Sequence, residues 1–119
     1  FCGIVFSQNQ NSELAKKINL EIEKIKSEIN IKNPANDYLK IAHLYTQIDD
    51  LDNAINYINK SISLEPQNSR AYYMLAMIYE KKKDYKNAID NWQKCLEYSQ
   101  SKEIKEIARK HIDYLRQMK

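Results

Sequence analysis

Apolar side chains recur along this chain at intervals of three and four residues, the spacing that lines them up on one face of an α-helix. Leu14, Ile18, Ile22, Ile25 and Ile29 form the first series, with Lys and Glu on many of the positions between, and predict an amphipathic helix over residues 12–31. Pro34 reads as its stop, and Asn36 or Asp37 as the cap of the next helix, because a short polar side chain accepts from the free amides of a first turn. Tyr38, Ile41, Ala42 and Tyr45 make a second stripe, and Ala54, Ile55, Ile58 and Ser61 a third. Asp50, ahead of residues 51–64, and Asp84, ahead of residues 85–98, read as N-caps. In the last segment Ile104, Ile107, Ala108, Ile112, Leu115 and Met118 share one stripe, as expected of a terminal helix that covers an apolar face.

The second and third stripes return. A shift of 34 residues brings Tyr38 onto Tyr72, Ile41 onto Leu75, Ala42 onto Ala76 and Tyr45 onto Tyr79. It also brings Asp50 onto Asp84, Asn53 onto Asn87, Ala54 onto Ala88, Ile58 onto Trp92 and Ser61 onto Cys95, with no gap. Each unit divides at its aspartate into two helices, with small residues where two backbones must approach and large ones between. A period of this length built from a helical hairpin resembles the tetratricopeptide repeat family. Residues 35–68 carry the family's pattern as Tyr38, Ile41, Ala42, Tyr45, Ala54, Ile58, Ser61 and Pro66. Residues 69–102 carry it as Tyr72, Leu75, Ala76, Tyr79, Ala88, Trp92 and Cys95, with Gln100 where proline would stand. The same register carried backward and forward puts Leu20, Lys24 and Ser27, then Glu106, Arg109, Lys110 and Asp113, on pattern positions they do not fit. The resemblance therefore implies an all-α, right-handed helical-hairpin solenoid. Residues 8–34 supply an N-terminal linker and amphipathic helix, 35–68 and 69–102 two repeats, and 103–119 a capping helix, six helices in all.

Composition narrows the function. One glycine and two prolines in 119 residues leave no glycine-rich phosphate loop or dinucleotide fingerprint, and argue against hairpin-rich β architecture. Nineteen Lys and Arg against sixteen Asp and Glu, interspersed, give only +3, weak attraction for a nucleic acid. The opening, Phe1 to Phe6 followed by Ser7-Gln8-Asn9-Gln10, shifts abruptly from apolar to polar and is far too short to span a bilayer. It reads as the end of a secretory signal peptide over residues 1–7, which predicts an extracytoplasmic location, periplasmic or secreted, and otherwise a cytoplasmic one. Beyond it stands a single cysteine, Cys95, so no intramolecular disulfide forms.

Catalytic chemistry finds little footing. His43 and His111 are the only histidines, and neither belongs to a metal-ligating spacing. Asp49, Asp50 and Asp52 lack the spacing and glycine of a calcium loop and read as helix caps. Lys81-Lys82-Lys83 reads as a solvated helix end, and Cys95, on a small-residue repeat position, as an inert core thiol. The expectation is a protein without enzymatic activity, cofactor, metal or small-molecule substrate. The resemblance implies instead a concave surface for an extended peptide or a partner helix. Carried over position by position, that surface comprises Asn36, Leu39, Lys40, His43, Thr46 and Gln47, then Arg70, Tyr73, Met74, Met77, Glu80 and Lys81. Leu39, Tyr73, Met74 and Met77 are not needed as apolar residues by repeat packing, and adaptable methionines suit a binding surface. The carboxylate-clamp variety of the family would need Lys and Asn where Leu39 and His43 stand, so chaperone tails are disfavoured. The rival expectation is a homodimer joined along the seam of Leu14, Ile18, Ile22, Ile25 and Ile29.

Overall fold

The computed structural model describes the backbone of residues 2–29 and 32–118, and the side chains of residues 12–29 and 32–118. Among them run six helices: α1 (Cys2–Ser27), α2 (Pro34–Gln47), α3 (Leu51–Leu64), α4 (Ser69–Lys81), α5 (Tyr85–Tyr98) and α6 (Lys102–Leu115). No strand occurs among the described residues. The fold is all-α and built of helical hairpins. Phe1 and the side chains of residues 2–7, on which the signal-peptide expectation rests, lie outside the described residues.

Two helix boundaries differ from expectation. α1 begins at Cys2 rather than near residue 12, since the polar segment after Ser7 contains no proline or glycine to interrupt it, and it ends at Ser27. Its last turn closes through Glu28 N–H, which donates to the carbonyls of Lys24 and Ile25 at 3.1 Å. The cap of α2 is Asn33, not Asn36 or Asp37: its side chain accepts from the Asn36 amide at 3.4 Å. Pro34 occupies the first helical position, where its missing N–H costs nothing and its fixed φ suits a helix start.

The turns inside the hairpins match residue for residue. Asp49 N–H donates to the Thr46 carbonyl and Asp50 N–H to the Tyr45 carbonyl; thirty-four residues later Lys83 N–H donates to Glu80 and Asp84 N–H to Tyr79. This is the Schellman pattern of a helix end, and it requires one left-handed residue, supplied by Asp49 at φ 60° and Lys83 at φ 61°. The following aspartate serves both helices. Asp50 Oδ1 accepts from the Asn53 amide and Asp84 Oδ1 from the Asn87 amide, each at 3.3 Å, so both expected caps are present.

The chain divides into two compact units, residues 1–57 and 58–119. In the first, α1 packs against α2, burying Ile18 and Ile22. The Tyr57 ring of α3 meets Tyr45 and Tyr38 of α2, with centroids 5.7 Å and 6.0 Å apart. In the second, α5 lies between α4 and α6, and Trp92, Cys95, Ala88, Tyr72, Ala76, Ala108, Ile112 and Leu115 form one cluster. Tyr72 hydroxyl closes the α3–α4 connection by donating to the Pro66 carbonyl at 2.6 Å.

Candidate functional site

α4 carries the expected residues of the second repeat. Asn68 caps it, accepting from the Arg70 amide at 3.1 Å, and Ala71, Tyr72, Leu75, Ala76 and Ile78 turn into the core. The opposite stripe, at spacings of three and four, is Arg70, Tyr73, Met74, Met77 and Lys81. Arg70, Met77 and Lys81 are exposed, and Tyr73 and Met74 are half-buried. Met77, 44% exposed, is an apolar side chain that the core does not use. Tyr73 stands edge-on to Trp92, ring centroids 4.9 Å apart. Its ring is therefore fixed in place before any partner arrives, and its truncation would also loosen the packing of Trp92.

Behind this stripe lies a polar junction that periodicity does not reveal. Glu80 Oε2 accepts from the indole N–H of the wholly buried Trp92 at 2.7 Å and meets His111 Nδ1 of α6 at the same distance. An ionised carboxylate only accepts, so the His111 Nδ1 is the donor. The His111 ring also lies over Trp92, centroids 4.4 Å apart. Glu80, expected on the open surface, is thus held inward by α5 and α6. The signal that could have found it is the tryptophan itself, since a buried indole N–H needs an acceptor.

The matching residues of α2 behave differently. Leu39 is 1% exposed, which removes it from the accessible surface: it is a core residue of the first unit. Lys40 is exposed and pairs with Asp37 at 3.8 Å, His43 is exposed, and the Asn36 amide is taken by Asn33. The Thr46 hydroxyl donates to the His43 carbonyl of its own helix. α1 is corrected too: Ile18 and Ile22 of the proposed dimer seam are buried within the chain, whereas Leu14 is 51% exposed.

Nothing here is arranged for catalysis at Cys95. Burial pushes its thiol up to about 11, so the nucleophilic thiolate is suppressed at neutral pH. Among the described residues no three His, Cys, Asp or Glu side chains are placed to hold a metal ion. No helix among them is long and apolar enough to cross a membrane.

Residues 38–68 and residues 69–102 each match the tetratricopeptide repeat, together more than half of the chain. The chain belongs to the tetratricopeptide repeat family. Such repeats generally mediate protein–protein interaction and are typically non-enzymatic scaffolds, which makes a protein the expected partner of this one. A comparison with curated proteins returned no match. In this tetratricopeptide repeat chain the α6 helix also preserves repeat features that a strict 34-residue shift conceals. With two residues removed, Ile104, Ile107, Ala108 and His111 fall on Tyr72, Leu75, Ala76 and Tyr79, and Ala108 is as completely buried as Ala76. One of the two residues is lost in the α5–α6 connection, residues 99–101 against 65–68 between α3 and α4, where the Ser99 hydroxyl accepts from the Ser101 amide at 3.1 Å.

Proposed function

We propose that this protein is a non-enzymatic interaction module that receives a peptide or partner helix on the outer stripe of α4. The observation that carries the reading is Met77: a large apolar side chain left in solvent mid-helix, flanked by Tyr73 and Met74 one turn earlier and by Arg70 and Lys81 at the ends. An aromatic anchor with methionine and arginine has the composition of an interface hot spot. The flanking cations favour a partner that combines apolar and acidic residues, while Glu80, the one carboxylate of α4, is engaged by Trp92 and His111.

Peptides selected by display against the chain provide the test. They should be apolar and acidic, and Met77→Glu should weaken them by about tenfold or more with an unchanged melting temperature, because an exposed side chain contributes little to stability. Peptides that bind Met77→Glu as well as the parent would remove α4 as the site. Self-association through α1 is the alternative; it would have to use Leu14 and Leu20, which is 72% exposed, because Ile18 and Ile22 are already buried. Light scattering of Leu14→Lys and Leu20→Lys beside the parent chain reads it directly, a dimer that persists in both speaking against that seam.

A further inference from the structure

In the first unit a lysine is held by tyrosines. Lys26 Nζ of α1 lies 5.7 Å from the Tyr45 ring centroid and 5.4 Å from that of Tyr57, and donates to the Tyr45 hydroxyl at 3.2 Å. The two rings are stacked at 5.7 Å with 24° between their planes, and Tyr38 adjoins Tyr57 at 6.0 Å. We propose that Tyr45 and Tyr57 form a recognition site for a basic side chain carried on an amphipathic helix, and that α1, through Lys26, is its resident occupant in cis.

Three features support this. The ring faces supply a negative quadrupole and the phenol an acceptor, the two elements that recognise an ammonium ion together. Burial alone would lower the proton affinity of Lys26, yet its hydrogen bonds to Tyr45 and Tyr57 reverse this and raise its pKa above the ordinary lysine value. The grip of α1 is also narrow: of its described side chains only Ile18 and Ile22 are buried, and these precede Lys26 by two turns and one, so the whole of it reads as an Ile-Ile-Lys ligand on one helical stripe. The ammonium also lies 3.4 Å from Glu23, an exposed neighbour on the same helix, a contact that is weak in water. The buried residues of the cluster around Trp92 come from α4, α5 and α6.

A tethered occupant competes at an effective concentration on the order of millimolar, so a partner must match its helix as well as its charge. The probe is therefore a labelled peptide of residues 12–29 of this chain, with a second peptide carrying Lys26→Met. In the full chain Ile22→Asp loosens α1 and leaves both tyrosines in place. This opened chain should bind the parent peptide at least tenfold more tightly than the unaltered chain does, and the Met peptide at least threefold more weakly than the parent peptide. Equal binding by opened and unaltered chains, or equal binding of the two peptides, overturns the proposal. Where Ile22→Asp costs α2 and α3 their amide protection, the milder full-chain Lys26→Met decides: uptake of the lysine peptide over the methionine peptide sustains the site, and indifference between them refutes it. Trp92 fluorescence reports the integrity of the second unit throughout.

Discussion

Ile58 and Trp92 hold the same place in consecutive repeats, and each is wholly buried. Ile58 brings only hydrocarbon to that place. Trp92 brings a larger surface and one polar atom, and that atom draws Glu80 and then His111 into a junction of three helices. One substitution within a duplicated pattern thus separates a position filled by hydrocarbon alone from one that also ties α4, α5 and α6 together through a polar atom. The widest test of this contrast is truncation. Trp92→Ala should cost about 3–5 kcal/mol, and Ile58→Ala about 2–4 kcal/mol, as each removes a buried side chain and leaves a cavity. Urea unfolding of both variants measures the difference, and equal losses would mean that the indole's additional partners contribute nothing.

The polar junction can be isolated without touching the tryptophan. Glu80→Ala leaves the indole N–H buried and without its acceptor, for an expected cost of about 1–3 kcal/mol. Thr46→Ala, at the matching position of the first repeat, removes a hydroxyl bonded only to its own helix and should change stability by about 0.5 kcal/mol or less. Glu80→Gln restores an acceptor and should recover most of the loss. Trp92 emission in the three proteins shows whether the indole has kept its partner.

The turns differ more subtly. Both fix a left-handed residue without glycine, but Asp49 is of a type that tolerates that conformation and Lys83 is not. Lys83→Gly should therefore stabilise the protein by about 1 kcal/mol and Asp49→Gly by less. A larger gain at Asp49 would show that charge crowding, not backbone strain, governs these turns, since Asp49, Asp50 and Asp52 make the first acidic and Lys81, Lys82, Lys83 and Lys86 make the second basic.

These features were unequally visible in the sequence. The hairpins and their aspartate caps were legible because backbone geometry demands a particular residue type at a fixed spacing, as Asp50 and Asp84 show. Asn33 is hidden because a proline after an amphipathic run reads as the end of that helix, when here its fixed φ starts the next. The repeat register of α6 is hidden because it is offset by two residues from a gapless 34-residue shift. The exposed position of Met77 on α4 is legible from the repeat register, whereas the same register places Leu39 of α2 on the surface although it is core. Periodicity assigns residues to a face; it does not say which neighbouring element covers that face. The Lys26 cage was invisible for the same reason, as a helix eighteen residues upstream of Tyr45 carries no pattern that ties it there.

The smallest contrast concerns Ser61 and Cys95, both fully buried at the same repeat position. The serine hydroxyl does not ionise in water's accessible range, whereas the cysteine does. Its ordinary value of 9.0 is raised to about 11 by burial, so the folded protein resists losing that proton more than the unfolded chain does. The thiol's contribution is complete below about pH 9 and is lost as pH climbs toward the folded value, because the unfolded chain releases the proton first. At pH 10 the expected penalty is about 1 kcal/mol. Cys95→Ala, which places the small residue common at this position, should remove that part of the alkaline decline, while Ser61→Ala should leave the decline unchanged. Urea midpoints of the three proteins at pH 8 and pH 10 decide it: if Cys95→Ala loses as much between the two as the parent chain, the thiol is not the alkaline weak point, and the phenols of Tyr72 and its neighbours become the next groups to test.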